Sequence, residues 1–199
     1  MRKIVVASGN KGKLAEIREI LKDLPVELLP MSDLWNPVPD IDENGKSFFD
    51  NALIKAEYVF KRSGLWALAD DSGLEVDSLS GEPGVYSARY AGKQGDNEAN
   101  NALLLRKLNG VPPHLRTARF RCVMVLKTGI SSTITSEGTC EGTIGFELKG
   151  KKGFGYDPLF VPTDETMTFA ELSSEKKNQI SHRGKALALL CRKLHELDI

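Results

Sequence analysis

The chain has little from which to build a disulfide framework, a zinc site or a membrane anchor. Its three cysteines, Cys122, Cys140 and Cys191, lie far apart and have no Cys-x-x-Cys spacing. They indicate small core residues in a reduced compartment. No apolar run approaches membrane-spanning length, and the N-terminal run at residues 4–7 is too short for a signal peptide. These absences predict a cytoplasmic protein with no membrane partner.

A net charge of either sign is also missing. Lysine plus arginine and aspartate plus glutamate each total 27, so the field of the whole chain gives no reason to expect nucleic acid as a partner. Any anionic ligand must therefore be held by local charge. Leu14 stands where a Walker loop needs a hydroxyl, and no Gly-x-Ser-x-Gly element indicates a serine nucleophile.

Helical spacing of apolar residues is present in four places. One helix is predicted after residue 10, a second from a cap at Ser47 to Gly64, and a third over residues 97–108. A C-terminal helix is predicted to begin near Ser181 or Arg183. Its apolar side consists of Leu187, Leu190, Cys191, Leu194 and Leu197.

Strand patterns alternate with these helices. Residues 4–7 and 65–69 are short apolar runs, and the second is predicted to end in a turn at Asp70-Asp71. Residues 74–79 indicate a half-buried strand. Period-two alternation over 117–127, followed by a β-branched stretch over 131–144, predicts an antiparallel meander. Together these patterns predict one α/β folding unit with a mixed sheet.

The first predicted strand runs into the first helix through Ser8-Gly9-Asn10-Lys11-Gly12-Lys13. Free backbone N–H groups and the helix dipole favour an anion at such a junction, and Lys13 adds a mobile positive charge. The segment is a candidate phosphate grip. The alternative is an ordinary turn with a surface lysine.

Adjacent acids after a buried strand are a second candidate site. Asp70 and Asp71 repel each other and are costly to bury unless a cation is present. Glu43, with Asp42 beside it, precedes the second helix and is a candidate to complete a carboxylate site for Mg²⁺. A solvated acidic loop is the alternative.

Three further groups of polar and aromatic residues complete the candidates. Asn51 and Lys55 are four apart and share a helix face. Phe154-Gly155-Tyr156-Asp157 offers aromatic rings in a glycine-containing loop, where a nucleobase can stack. Ser181-His182-Arg183, with Lys177 upstream, gathers donors at a helix N-terminus. The respective alternatives are a solvated helix face, a loop anchored in the core and a simple helix cap.

These segments, in this order, resemble the inosine triphosphate pyrophosphatase family. The resemblance spans almost the whole chain, and the joint order and spacing of its elements are highly specific. The matching elements are Ser8-Gly9-Asn10-x-x-Lys13, Glu43-x-Gly45-x-Ser47-Phe48-x-Asp50-Asn51-Ala52-x-x-Lys55, Ala69-Asp70-Asp71-Ser72-Gly73-Leu74, Pro83-Gly84-x-Tyr86-Ser87-Ala88-Arg89, Gly153-Phe154-Gly155-Tyr156-Asp157-Pro158 and Ser181-His182-Arg183.

The resemblance implies an α/β fold of the ITPase-like, anticodon-binding-like type. It implies an elongated, curved mixed sheet whose helices form two lobes around a central cleft, within a single domain over residues 1–199, and a homodimer. The implied activity is hydrolysis of dITP, ITP and XTP or dXTP to the monophosphate and pyrophosphate, with Mg²⁺ as cofactor. Such an enzyme removes non-standard purines from the nucleotide pool.

The resemblance also implies residue roles. Asp71, as proton acceptor, and Lys55 are the catalytic residues, and the metal group consists of Asp42, Glu43, Asp70 and Asp71. Lys13, Lys55 and Lys177 bind the phosphates, Phe154 stacks on the base, and its edge is read by Asp157, His182 and Arg183. The remaining substrate-binding positions are Ser8, Gly9, Asn10, Lys11, Gly12, Asn51, Ser72, Gly155 and Tyr156.

Two other functions are compatible with parts of the pattern. One is a Maf-like nucleotide pyrophosphatase, which would prefer modified or pyrimidine nucleotides; the elements at residues 154–157 and 181–183 argue against it. The other is a nucleotide-binding module without turnover. The acids Glu43, Asp70 and Asp71 favour catalysis over that alternative.

Overall fold

The protein is built on one mixed β-sheet. A computed structural model describes residues 1–196. Its strands are β1 (Arg2–Val6), β2 (Val26–Pro30), β3 (Trp66–Val76), β4 (Thr117–Lys127), β5 (Thr133–Ile144) and β6 (Phe160–Pro162). Their order across the sheet is β2-β1-β3-β4-β5-β6. β1 is parallel to β2 and β3, whereas β5 and β6 are antiparallel, so the predicted mixed α/β sheet is confirmed.

Five α-helices accompany the sheet in the described chain. They are α1 (Lys11–Ile20), α2 (Phe48–Ser63), α3 (Asn97–Lys107), α4 (Ser174–Ile180) and α5 (His182–His195). The predicted cap of α2 is confirmed, because the Ser47 side chain accepts a hydrogen bond from the Asp50 backbone N–H and Gly64 ends the helix with φ 69°. The sequence patterns did not predict β2, β6 or α4.

The predicted turn at Asp70-Asp71 is wrong. β3 continues through both aspartates to Val76, and both side chains are buried. Asp, Ser and Gly disfavour strands on average, but buried cationic partners stabilise these carboxylates inside the strand. Residues 77–79, predicted as the end of a strand, form the 3₁₀ helix Asp77–Leu79.

The chain divides into two compact units. The first unit comprises Met1–Asp71, Cys122–Gly138 and the described chain from Arg183 onward. Its core includes Val6 of β1, Leu68 of β3, Met124 of β4 and the buried face of α5. The predicted amphipathic character of α5 is confirmed, because Leu187, Leu190 and Leu194 are buried and Cys191 is half-buried. The predicted Leu197 lies outside the described residues.

The second unit comprises Ser72–Arg121 and Thr139–His182. Its core is rich in aromatic rings and includes Leu104 of α3, Phe120 of β4 and Phe160 of β6. The expectation that cysteines serve as core residues is confirmed for Cys122 and Cys140, which are free and buried in the first and second unit respectively. Among residues 1–196, no helix combines the length and apolar composition needed to cross a membrane.

Candidate functional site

The loop between β1 and α1 differs from the expected anion grip. The Asn10 side chain accepts hydrogen bonds from the backbone N–H groups of Gly12 at 2.9 Å and Lys13 at 3.1 Å. Ser8 Oγ accepts one from Asn10 N at 3.2 Å. The prediction of free N–H groups is therefore wrong at these positions, because the helix cap already uses them. Gly9 and Lys11 are exposed. The loop can still attract an anion through the positive charges of Lys11 and Lys13.

Lys13 reaches the first aspartate of the pair. β1 and β3 are parallel neighbours with Val6 opposite Leu68, so the loop after β1 lies beside the next residues of β3. The Lys13 ammonium is 2.9 Å from Asp70 Oδ2, and the Asp70 side chain has no exposed surface. This ion pair is buried rather than a surface contact.

Arg183, the second residue of α5, also contacts Asp70. Its Nη2 and Nε donate to Asp70 Oδ2 at 3.2 Å and 3.4 Å, and its Nη1 pairs with Glu16 of α1. The Arg183 side chain is 2% exposed. Sequence reasoning missed Glu16, although its position three residues after Lys13 places the two on one face of α1. A buried arginine thus joins α1, β3 and α5 of the first unit.

Asp71 has a different set of partners. Asn51 Nδ2 donates to Asp71 Oδ2 at 3.1 Å, and the Lys55 ammonium lies 3.5 Å from Oδ1. Lys55 also donates to Glu43 Oε2 at 2.7 Å. Asn51 Oδ1 accepts from Gly45 N at 2.8 Å, which holds the segment carrying Glu43 against α2. Asn51 and Lys55 therefore share a helix face as their spacing predicted, and the structure brings Glu43 and Asp71 to that face.

The two aspartates have opposite electrostatic environments. Burial alone would raise the pKa of Asp70, but the positive charges of Lys13, Arg183 and Lys55 outweigh it. The pKa of that carboxyl lies far below its ordinary value of 3.8. Burial raises the pKa of Asp71 above 3.8, and the charge of Glu43 adds to this effect although Lys55 opposes it. Asp70 is thus held ionised, whereas Asp71 binds a proton more readily than an exposed aspartate does.

Two carboxylates, those of Glu43 and Asp71, converge on the Lys55 ammonium. Glu43 and Asp71 both contact the Lys55 ammonium, and their attraction raises the Lys55 pKa despite the opposing effect of burial. Two converging carboxylates of this kind fit a hard cation such as Mg²⁺. Within residues 1–196, no three His, Cys, Asp or Glu side chains are grouped to hold a metal. Asp42 is exposed and accepts a hydrogen bond from Asn44 instead.

The glycine-rich loop of the second unit is organised by Asp157. Its Oδ2 accepts from Phe154 N at 2.8 Å and from the Lys177 ammonium at 2.7 Å. Lys177 also lies 5.0 Å from the centroid of the Phe154 ring. Gly153 has φ +73°, and a Cβ there would lie 2.0 Å from the Asp157 carboxylate. The turn therefore requires glycine for both backbone conformation and space.

Tyr156 anchors this loop in the core. Its side chain is 3% exposed and its hydroxyl donates to Ser87 O at 2.9 Å. Asn101 Nδ2 of α3 donates to Gly155 O at 2.9 Å. Of the two aromatic residues considered as a wall for a base, Phe154 is the half-exposed one. Sequence reasoning missed Asn101, since one asparagine in a polar helix gives no signal of a contact distant in sequence.

The remaining predicted residues fall into both units. Ser72 is half-buried in β3 immediately after Asp71. His182 is buried and stacks on Phe120 in the second unit. Arg183 pairs with the acids of the first unit, whereas Lys177 pairs with Asp157 of the second. Each of these two cations is thus held by a buried carboxylate, and the substrate roles that the resemblance implies for them stay predictions.

These features define a mixed-sheet α/β protein with a buried group of paired acids and lysines. The chain belongs to the Ham1 family, whose model matches residues 4–193. It is 51% identical, over 99% of this chain and 98% of the other, to a dITP/XTP pyrophosphatase of Desulforamulus reducens.

Solved structures agree with that membership. A HAM1 protein from Coxiella burnetii superposes with a TM-score of 0.89 at 43% identity, covering 98% of this chain and 100% of that one. A nucleoside-triphosphatase, or dITP/XTP pyrophosphatase, from Mycobacterium abscessus gives a TM-score of 0.75 at 46% identity over 94% and 97% of the two chains. The predicted mixed α/β fold and the family resemblance are both confirmed.

Proposed function

We propose that this protein hydrolyses non-standard purine nucleoside triphosphates, namely dITP, ITP and XTP or dXTP, to the monophosphate and pyrophosphate. One structural observation carries the proposal: adjacent buried aspartates with oppositely shifted pKa values lie beside two lysines in the first unit. Relatives with about half their residues identical over nearly the full chain bear the name dITP/XTP pyrophosphatase. The reaction removes miscoding nucleotides from the pool.

Asp71 acts as the general base. Its raised pKa makes its carboxylate a better proton acceptor than an ordinary aspartate. Asn51 holds one carboxylate oxygen by a hydrogen bond and so fixes the direction of the other. A water beside Asp71 loses its proton to the carboxylate while attacking the α-phosphorus, and the α–β phosphoanhydride bond breaks to release pyrophosphate.

Lys13 and Lys55 bind the phosphate oxygens. A triphosphate carries about four negative charges, and ammonium groups fixed by buried carboxylates need little reorganisation to meet them. Glu43 and Asp71, which already converge on one cation, would hold Mg²⁺. When bound, the ion supplies further positive charge against the phosphates. Asp70 and Arg183 maintain the position of Lys13 and the start of α5.

The purine base is bound by residues of the second unit. Phe154 provides the stacking face, and the Asp157–Lys177 pair with His182 provides polar atoms for the base edge. We assign Lys177 to the base rather than to the phosphates, because its ammonium lies among the groups proposed to contact the base, bonding Asp157 and lying 5.0 Å from the centroid of the Phe154 ring. Donors aimed at a 6-oxo group accept hypoxanthine or xanthine and are left unpaired by the 6-amino group of adenine. The homodimer and the cytoplasmic location remain predictions.

Substrate profiling tests this proposal. We expect pyrophosphate release from dITP and XTP, slow turnover of ATP and loss of activity when Mg²⁺ is chelated. Equal rates with dITP and ATP would contradict the base assignment, and preferential turnover of pyrimidine nucleotides would favour a Maf-like enzyme. Nucleotide binding without any turnover in the presence of Mg²⁺ would indicate a binding module and overturn the proposal.

A further inference from the structure

Three phenylalanines form an aromatic cluster in the core of the second unit. Phe120 packs edge-on against Phe160 with ring centroids 4.8 Å apart and lies 5.9 Å from Phe169 in a stacked arrangement. Phe160 and Phe169 are 5.0 Å apart. All three side chains are buried, so each ring limits the orientation of the other two.

The imidazole of His182 lies flat on one ring of this cluster. Its centroid is 4.7 Å from that of Phe120, and the two planes differ by 11°. Both nitrogens of an imidazole make hydrogen bonds in the plane of the ring. A parallel ring against one face therefore fixes the plane in which His182 can donate or accept. His182 is 4% exposed, so no mobile solvent layer loosens this contact.

The cluster also touches a second side chain of the proposed base-contacting group. The Lys177 ammonium lies 5.7 Å from the centroid of Phe169 and 5.0 Å from that of Phe154, while bonding Asp157. A cation over two ring faces is restrained more than one held by a single carboxylate. The polar atoms assigned to the base thus rest on a common aromatic support.

We propose that Phe120 is a positioning residue for base selectivity, which acts by holding the imidazole plane of His182. The proposal rests on the proposed function, since selectivity is defined there. Phe120 is buried, and in this proposal it acts through His182 rather than by contact with the base. Its removal should allow the imidazole to tilt, which weakens a directional hydrogen bond to the correct base more than it alters the poor fit of ATP.

Phe160 provides the matched control. It belongs to the same cluster and packs against Phe120 and Phe169. Phe160→Leu and Phe120→Leu remove the same atoms from the same core, so both should lower the melting temperature. Only Phe120→Leu removes the ring stacked on His182.

The kinetic test compares the ratio of kcat/KM for dITP to that for ATP in the two variants. We expect Phe120→Leu to lower this ratio roughly two- to ten-fold, mainly through a higher KM for dITP, and Phe160→Leu to leave it within about two-fold. Phe120→Tyr retains the ring and should retain the wild-type ratio. Equal ratios in Phe120→Leu and Phe160→Leu would overturn the proposal. If Phe120→Leu does not fold, Phe120→Met fills the space without a ring and decides in its place.

A spectroscopic test separates this inference from the proposed function. The NMR signals of the His182 ring protons should move downfield in Phe120→Leu, because the ring current of Phe120 is lost, and much less in Phe160→Leu. This result would establish that Phe120 covers the His182 ring in solution even if the wild-type protein released no pyrophosphate from dITP, an outcome that would reject the proposed function alone. The effect of the Phe120 ring on selectivity is decided by the kinetic comparison. Unchanged His182 signals in Phe120→Leu would reject the positioning role even in an active enzyme.

Discussion

Asp70 and Asp71 are consecutive residues of one strand, yet their carboxylates bind different cations. Asp70 contacts Lys13 and Arg183, whereas Asp71 contacts Lys55 and accepts a hydrogen bond from Asn51. Successive side chains of a strand point to opposite faces, which explains how neighbours acquire separate partners. The pKa of one falls and that of the other rises, and this divergence assigns an electrostatic role to Asp70 and a proton-accepting role to Asp71.

Asp71→Asn should separate activity from stability. The variant loses the proposed base, so we expect pyrophosphate release to fall by about 10²–10⁴-fold or more. Because burial disfavours the Asp71 carboxylate, its replacement by a neutral amide should leave the melting temperature unchanged or higher. The control is Asp164→Asn, at an exposed acid outside the candidate site, which should keep most activity. An Asp71→Asn enzyme with near wild-type turnover would reject the base assignment.

Asp70 should make stability depend on acidity. The pKa of Asp70 in the folded protein lies below its ordinary value of 3.8. The ionised Asp70 therefore adds to the free energy of unfolding at pH values well above 3.8, and this stabilisation is lost as the pH falls through 3.8 toward the folded pKa. Urea unfolding of the metal-free protein at several pH values between about 6 and 3 measures this. Wild type should lose more stability on acidification than Asp70→Asn; identical slopes would contradict the assignment.

Glu16→Gln tests the buried arginine. Arg183 would keep Asp70 but lose a charged partner, which should cost about 1–3 kcal/mol of unfolding free energy. The control on the same helix is Glu19→Gln, whose partner Lys22 is 57% exposed; it should change stability by about 0.5 kcal/mol or less. Equal changes in unfolding free energy for the two substitutions would show that the buried Glu16–Arg183 pair stabilises the fold no more than an exposed pair does.

Two glycines of the loop at 153–157 offer a comparison of strain with crowding. Both have positive φ, but an added Cβ meets the Asp157 carboxylate at Gly153 and nothing within 4 Å at Gly155. Gly155→Ala should cost about 1 kcal/mol through backbone strain alone. Gly153→Ala should additionally displace Asp157 and reduce selectivity for dITP over ATP. If Gly153→Ala kept the wild-type selectivity for dITP over ATP, Asp157 would not take part in base recognition.

Local patterns predicted much of the fold. The cap at Ser47 and the stop at Gly64 bound α2 correctly because capping depends on residues close in sequence. The same dependence on nearby residues made the predicted β3 too short. The segment from Asp70 to Gly73 consists of residues common in turns, whereas the cations that stabilise it in a strand come from α1, α2 and α5. No local pattern reveals partners that arrive from distant segments.

The candidate site follows the same division. The spacing of Asn51 and Lys55 placed them on one helix face, and the structure brings both to Asp71. The pairing of Arg183 with Glu16 joins positions far apart in the chain, so no sequence pattern predicted this ion pair. The packing of His182 on Phe120 was equally inaccessible, because a period-two strand pattern does not specify what covers each residue.

The most direct test of the account is hydrolysis of dITP in heavy-oxygen water, with Mg²⁺ present and the products separated by mass. Attack on the α-phosphorus predicts deoxyinosine monophosphate that carries one heavy oxygen, together with unlabelled pyrophosphate. Labelled pyrophosphate, or a diphosphate with orthophosphate, would contradict it.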